Sequence, residues 1–266
     1  MIRIILFLTV CVLSCGQHGV EIKTKGRDIK PLTDSTTDIF TEKKTSLNQL
    51  FLLNKDSAKF SSQDLWTSIL IGHLFDKKQK DAVLRYEDND TVANVIILRL
   101  SGKNWDTIFS TKICPVTTGG FEDLIEVSDF NGDNIPDLKV VKDYWNIHIG
   151  EKSDLWLYSK NNFTKVQGFD SIISATYDKR TNLIYSYQSM GCADMIMYFG
   201  IFKIIGNKVK KIKEMSCDCC LESNDSCKIK VFGEKPYFVP YKTAYKYVPS
   251  FYAEGVREKC EMVVGK

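Results

Sequence analysis

From Asp81 onward the apolar positions fall in short runs at 82–84, 94–100, 107–113, 138–141, 155–158 and 183–187, with Gly, Asn, Asp and Lys between them. Short runs rich in Val, Ile, Leu, Tyr and Phe and bounded by turn formers predict strands. Ahead of them Trp66, Ile69, Leu70, His73 and Leu74 recur at helical spacing, behind Ser61 and Asp64 placed as an N-terminal capping pair. That pattern predicts one short helix within 61–75. Residues 16–45 carry few large apolar side chains and many Lys, Thr, Asp and Ser, the composition of a tether.

Two stretches repeat. His73-Leu74-Phe75 leads to Asp81-Ala82-Val83-Leu84, and Asp129-Phe130-Asn131 leads to Asp137-Leu138-Lys139-Val140, with eight positions from the first residue to the Asp in both cases. The hairpin patterns that follow also correspond. Leu98 to Trp105 lines up with Trp156 to Phe163, and Phe202 to Val209 has the same form, each with a polar turn between an apolar strand and an aromatic or aliphatic residue. A repeated antiparallel unit that buries its face only against its neighbours follows. The expected fold is therefore mainly β, built of repeated strand-hairpin units in a propeller-like or sandwich-like arrangement, with the one N-terminal helix.

Residues 4–13 form an apolar run of ten, broken only by Thr9 and preceded by Arg3. A membrane span needs about 20 apolar residues, so ten suit the central region of a signal peptide. The next most apolar stretch, 195–202, is too short to span a bilayer and is bounded by Asp194 and Lys203. Val12-Leu13-Ser14-Cys15 resembles the lipobox of bacterial lipoproteins. The resemblance implies export, cleavage before Cys15, acylation of Cys15, and a lipid anchor on the periplasmic or surface side of a bacterial membrane. The organisation that results is a signal peptide (1–15), a tether (16–45), a β-repeat domain (46–213) and a Cys- and Tyr-rich extension (214–266).

The sharpest chemical signal is Asp129-Phe130-Asn131-Gly132-Asp133-Asn134-Ile135-Pro136-Asp137. Ca²⁺ takes six to eight oxygen ligands at about 2.3–2.6 Å. Side chains at loop positions 1, 3, 5 and 9, which are Asp129, Asn131, Asp133 and Asp137, can converge on one ion with the Ile135 carbonyl at position 7. Phe130 can turn inward as an anchor, and Gly132 and Asn134 permit the unusual φ values of a tight coil. Val140 stands at position 12, where an EF-hand has its bidentate Glu, and a strand rather than a helix follows. The loop resembles the D-x-N-x-D-x-x-x-D-L loops of FG-GAP and related β-repeat proteins, which implies calcium fastened between strands. The equivalent stretch 73–81 keeps only the last Asp and carries Lys77, Lys78 and Lys80, so no ion is expected there.

Composition narrows the function classes. Lys+Arg is 36 and Asp+Glu 33, so the chain lacks the basic excess of a nucleic-acid binder, and no nucleic-acid partner is expected. Beyond Cys15 lie Cys114, Cys192, Cys217, Cys219, Cys220, Cys227 and Cys260. In an exported chain disulfides are the default, their pairing is open, and an odd count leaves at least one thiol unpaired within a monomer. Cys217-Asp218-Cys219-Cys220 with Cys227 also invites a zinc reading, although the spacing is not C-x-x-C and no His lies nearby. Tyr237, Phe238, Tyr241, Tyr245, Tyr247, Phe251 and Tyr252, interleaved with Lys242 and Lys246, either pack on a sheet edge or line a glycan or protein site.

No nucleophile elbow, zinc-protease helix motif or phosphate-binding loop is present, and no catalytic residue is assigned. The expectation is a non-enzymatic, lipid-anchored envelope protein that binds a protein or glycan partner through a calcium-stabilised β-repeat domain. A glycan hydrolase with a carboxylate pair is the enzymatic alternative. A third expectation comes from resemblance. Asp129 to Leu138, Asp154-Leu155-Trp156-Leu157-Tyr158, Phe163, Tyr177-Asp178 and Asn182-Leu183-Ile184-Tyr185-Ser186 resemble periplasmic calcium-loop lipoproteins. Some members of that family act as immunity proteins by inhibiting lysozyme-like effectors.

Overall fold

The structure, a computed structural model, describes residues 58–62, 67–89, 91–114, 124–144, 150–191, 194–220 and 226–264. The expected signal peptide, Cys15, the expected tether and Cys192 lie outside the described residues. Among the described residues fifteen strands form three open antiparallel sheets, and within each sheet neighbours in sequence are neighbours in space. The first sheet runs β1 (Ala58–Ser62), β2 (Thr67–Gly72), β3 (Asp81–Asn89), β4 (Val92–Ser101) and β5 (Asn104–Ile113). The second runs β6 (Ile125–Ser128), β7 (Asp137–Tyr144), β8 (Glu151–Ser159) and β9 (Asn162–Lys165). The third runs β10 (Thr176–Asp178), β11 (Leu183–Met190), β12 (Ile196–Ile205), β13 (Lys208–Asp218), β14 (Ser226–Val231) and β15 (Tyr237–Pro240), and a helix, α1 (Ala253–Val264), follows.

Each sheet contains one of the three expected hairpins. Leu100 pairs with Trp105 across β4–β5, Tyr158 with Phe163 across β8–β9, and Ile204 with Val209 across β12–β13. The two-residue turns place Gly102, Lys160, Asn161 and Gly206 at positive φ, the backbone hand that matches the twist of the strands they join. In the two repeated stretches the loops also correspond: residues 73–80 join β2 to β3, and residues 129–136 join β6 to β7.

The sheets pack on one another in chain order. Leu138, Val140, Trp156, Tyr158 and Phe163 of the second sheet meet Val83, Ala93, Val95, Ile97 and Ile113 of the first in one core. Leu155 and Leu157 point the other way, to a core shared with Ile184, Phe202 and Ile204 of the third sheet. The second sheet is thus covered on both faces, which is why 155–158 is a continuous apolar run instead of an alternation. A further core at the far end of the third sheet gathers Met197, Phe199, Met215, Cys217 and Ile229 against Tyr241, Val256 and Cys260.

The helix expected within 61–75 is not formed, because Ala58–Ser62 and Thr67–Gly72 are paired strands, Ser62 opposite Thr67 and Ala58 opposite Ile71. Thr67, Ile69 and Ile71 are β-branched at alternate positions and all buried, a strand pattern with the stiff side chains that pack well on a pleated surface. Ser68 is buried as well, so burial on both faces blurs the period of two into an apparent helical spacing. The division expected at 213/214 falls inside β13, and β14 and β15 continue the third sheet rather than standing apart from it.

The cysteines divide into bonded and free. Cys219 and Cys227 form a disulfide with Cα atoms 4.3 Å apart, joining the end of β13 to β14. Cys114 and Cys220 are also disulfide-bonded, whereas Cys217 and Cys260 are buried free thiols. Of the aromatic tail, Tyr241 is buried, and Tyr245 and Tyr252 are partly buried against the third-sheet core. Tyr237, Phe238, Tyr247 and Phe251 are exposed.

Candidate metal centre

The loop between β6 and β7 is organised by its own side chains. Asp129 Oδ1 accepts the backbone N–H groups of Asn131 (3.1 Å) and Gly132 (2.7 Å), and its Oδ2 accepts that of Asn134 (2.9 Å). Asn131 Oδ1 accepts from Asp133 N at 2.9 Å, and Asp133 Oδ1 from Ile135 N at 2.7 Å. Every second residue therefore makes the i to i+2 turn that Asp and Asn favour, because their short side chains reach the backbone two residues on. The result turns the oxygens of positions 1, 3 and 5 into one coil. Asn134 takes φ 63° and Gly132 φ 85°, as the sequence suggested. Asn131 Nδ2 donates to Asp133 Oδ2 at 3.0 Å.

Asp137 closes the coil. It is fully buried as the first residue of β7. Its Oδ2 accepts Phe130 N and its Oδ1 accepts Tyr158 N of β8, both at 3.0 Å. Phe130 turns inward as expected, against Phe169 at 6.0 Å and Tyr177 at 6.3 Å between ring centroids. Burial, reinforced by the charges of Asp133 and Asp129 and opposed by the two N–H groups, pushes the Asp137 carboxyl from 3.8 up to about 7. Beneath the loop, Lys139 bridges Glu126 of β6 (2.8 Å) and Glu151 of β8 (2.6 Å). Burial alone would lower its ammonium, but Glu151 and Glu126 outweigh this and hold it above its ordinary value.

The repeat supplies an internal comparison. Asp81, the first residue of β3 and also fully buried, pairs with Arg99 Nε at 2.8 Å. Arg99 further donates to Tyr158 Oη at 3.2 Å and Asn161 Oδ1 at 2.7 Å, tying the first sheet to the second. In the second copy Leu157 stands in the place of Arg99. Among the described residues no Lys or Arg pairs with Asp129, Asp133 or Asp137; their partners are neutral N–H groups. A buried carboxylate without a positive partner is costly, and this loop concentrates three acids.

The donor types fit a hard cation: three carboxylates, one amide oxygen and the Ile135 carbonyl. Their spacing is wider than a closed calcium shell. Among the described residues the trio of His, Cys, Asp or Glu ligand atoms lying within 4.8 Å of one another is Cys217, Cys219 and Cys227. The structure thus brings Asp129, Asn131 and Asp133 together around the loop backbone and sets Asp137 at its exit.

Sequence reasoning left unassigned the contact on the outer side of the loop. A Cβ built on Gly132 would lie 2.5 Å from Asn182 Oδ1, so glycine there lets the loop approach the β10–β11 turn closely. Tyr177 Oη donates to the same Asn182 oxygen at 3.1 Å.

The fold and the loop define a class: an all-β protein of stacked antiparallel meanders with an acidic inter-strand loop. No family model and no curated protein matches the chain. A solved structure, that of a Xanthomonas type IV secretion system related protein, is similar over 69% of this chain and 97% of its own, with 15% identical residues and a TM-score of 0.40. Among the described residues no helix is long and apolar enough to cross a membrane.

Proposed function

We propose that the chain is an exported, lipid-anchored envelope protein that binds a protein or glycan partner through a β-repeat body stiffened by one calcium ion. The observation that carries the calcium reading is the contrast between the repeats: buried Asp81 has Arg99 as its positive partner, and buried Asp137 has none among the described residues. Asp129, Asn131, Asp133, the Ile135 carbonyl and Asp137 would hold the ion. It would supply the positive charge that lets Asp137 remain ionised. The chain's own residues transmit that order: Asp137 grips β8 through Tyr158 N, and Gly132 seats on Asn182 of the third sheet.

The binding reading draws on the third sheet's exposed aromatics. Phe238 is 62% exposed, Phe232 57%, Tyr247 43% and Tyr237 39%. Tyr237 and Phe238 lie on the edge strand β15, Tyr237 with Tyr247 at 6.1 Å between ring centroids, and exposed rings at a sheet edge suit sugar faces or apolar side chains of a partner. Immobilised chain should retain a partner from envelope extract or a defined glycan set in calcium and release it in chelator, and Phe238→Ala should weaken retention without moving the melting temperature. Muramidases among the retained proteins would narrow the partner to lysozyme-like effectors. Retention indifferent to both chelator and Phe238→Ala would refute the proposal, and turnover of a bound glycan would replace it with the enzymatic alternative.

A further inference from the structure

The far core of the third sheet holds an unusual concentration of sulfur. Cys217 of β13 is buried and free, and its Sγ lies 3.6 Å from Cys219 Sγ, which is itself bonded to Cys227 of β14. The ligand atoms of these three residues lie within 4.8 Å of one another, and all three are buried. Cys260, the second buried free thiol, reaches the same core from α1. Four buried cysteine sulfurs therefore share one apolar core, and the Cys219–Cys227 disulfide accounts for two of them.

That spacing has a chemical meaning. Tetrahedral Zn²⁺ binds thiolates at about 2.3 Å, which places neighbouring sulfurs about 3.8 Å apart. The Cys217–Cys219 separation already matches. The apolar surroundings suit a closed structural site rather than a catalytic one: Met197, Phe199, Met215, Ile229 and Val256 share the buried core with the sulfurs.

The geometry points to a thiolate site for zinc or a similar thiophilic cation, masked by the Cys219–Cys227 disulfide and formed when that bond is reduced. Cys217, Cys219 and Cys227 are the ligands, and Cys260, whose sulfur lies outside that 4.8 Å group but in the same core, moves in as the fourth when the ion binds. A dithiol reductant gives two electrons and two protons to the Cys219–Cys227 bond and leaves as its own disulfide. The cation then takes the thiolates and releases their protons. The same sulfurs hold either the disulfide or the ion, so the site reads the redox poise of its compartment. With the ion bound, β13, β14 and α1 are fastened at one point.

The test is cobalt titration of the purified full-length chain in detergent, reduced and oxidised, because Co²⁺ reports tetrahedral thiolate ligation by absorption. The reduced chain should take one Co²⁺ with thiolate-to-metal charge-transfer and tetrahedral d–d bands, lost on adding Zn²⁺. The oxidised chain should show neither. Cys217→Ser and Cys227→Ser should each abolish the tetrahedral spectrum, Cys260→Ala should weaken it, and Cys220→Ser should leave it unchanged. Far-ultraviolet circular dichroism of each variant confirms that the fold is intact. Absence of the bands in the folded, reduced wild-type chain would overturn the inference. So would bands that survive Cys217→Ser, since other thiols would then be the ligands.

Discussion

Asp137 makes the pH dependence of stability a quantitative test. Its carboxyl titrates near 7 in the folded chain against 3.8 ordinarily, chiefly through burial and then through Asp133 and Asp129. Between those two values the folded state holds a proton that the unfolded state has released. Stability is therefore fully present below about 3.8 and is lost as pH rises toward about 7. At about 1.4 kcal/mol per pH unit, that interval is worth about 4 kcal/mol at most. Urea unfolding in chelator between pH 4.5 and 7.5 should show wild type losing most of that amount. Asp137→Asn should remove the slope. The variant also starts about 1–3 kcal/mol lower, because an amide cannot accept both the Phe130 and Tyr158 N–H groups. In calcium the wild-type slope should flatten, since the ion holds Asp137 ionised. A wild-type profile that is flat in chelator, or a slope unchanged in Asp137→Asn, would refute the reasoning.

Two other outcomes follow from particular contacts and a third from the lipobox resemblance. Leu138→Ala removes a fully buried side chain from the core between the first two sheets and should cost about 2–5 kcal/mol by denaturant unfolding. Arg99→Met leaves Asp81 buried without its cation and should cost about 3–5 kcal/mol, with part of the loss recovered in the Arg99→Met, Asp81→Asn double variant. Cys15→Ser should abolish labelling by a fatty-acid analogue and shift the chain from the detergent phase to the aqueous phase, whereas unchanged partitioning would remove the lipid anchor from the account.

What was legible in the chain is what is written locally. The turns at Gly102-Lys103, Lys160-Asn161 and Gly206-Asn207 sit between residues that pair directly, so turn chemistry and flanking apolar residues sufficed to find the hairpins. The acidic loop was legible for the same reason, since all its donors and acceptors but the Tyr158 N–H lie within nine consecutive residues. β2 was misread as helix because burial on both faces erases the alternation that marks a strand. The Arg99 partnership with Asp81 spans 18 positions, and the seating of Gly132 on Asn182 spans a still longer gap. Such pairings depend on register and sheet packing, which spacing in the sequence does not encode. The continuation of the third sheet through β14 and β15 was hidden likewise, because the Cys- and Tyr-rich composition masked strands that register alone reveals.

The most direct test of the central claim is a thermal melt of the purified chain in calcium and in chelator, beside Asp129→Ala. An ion at 100 times its dissociation constant adds about 2.7 kcal/mol, which for a body of this size moves the midpoint by roughly 5–11 °C. A calcium shift of that size in wild type that vanishes in Asp129→Ala is the predicted result. Coincident melts for wild type in calcium and in chelator would contradict the account.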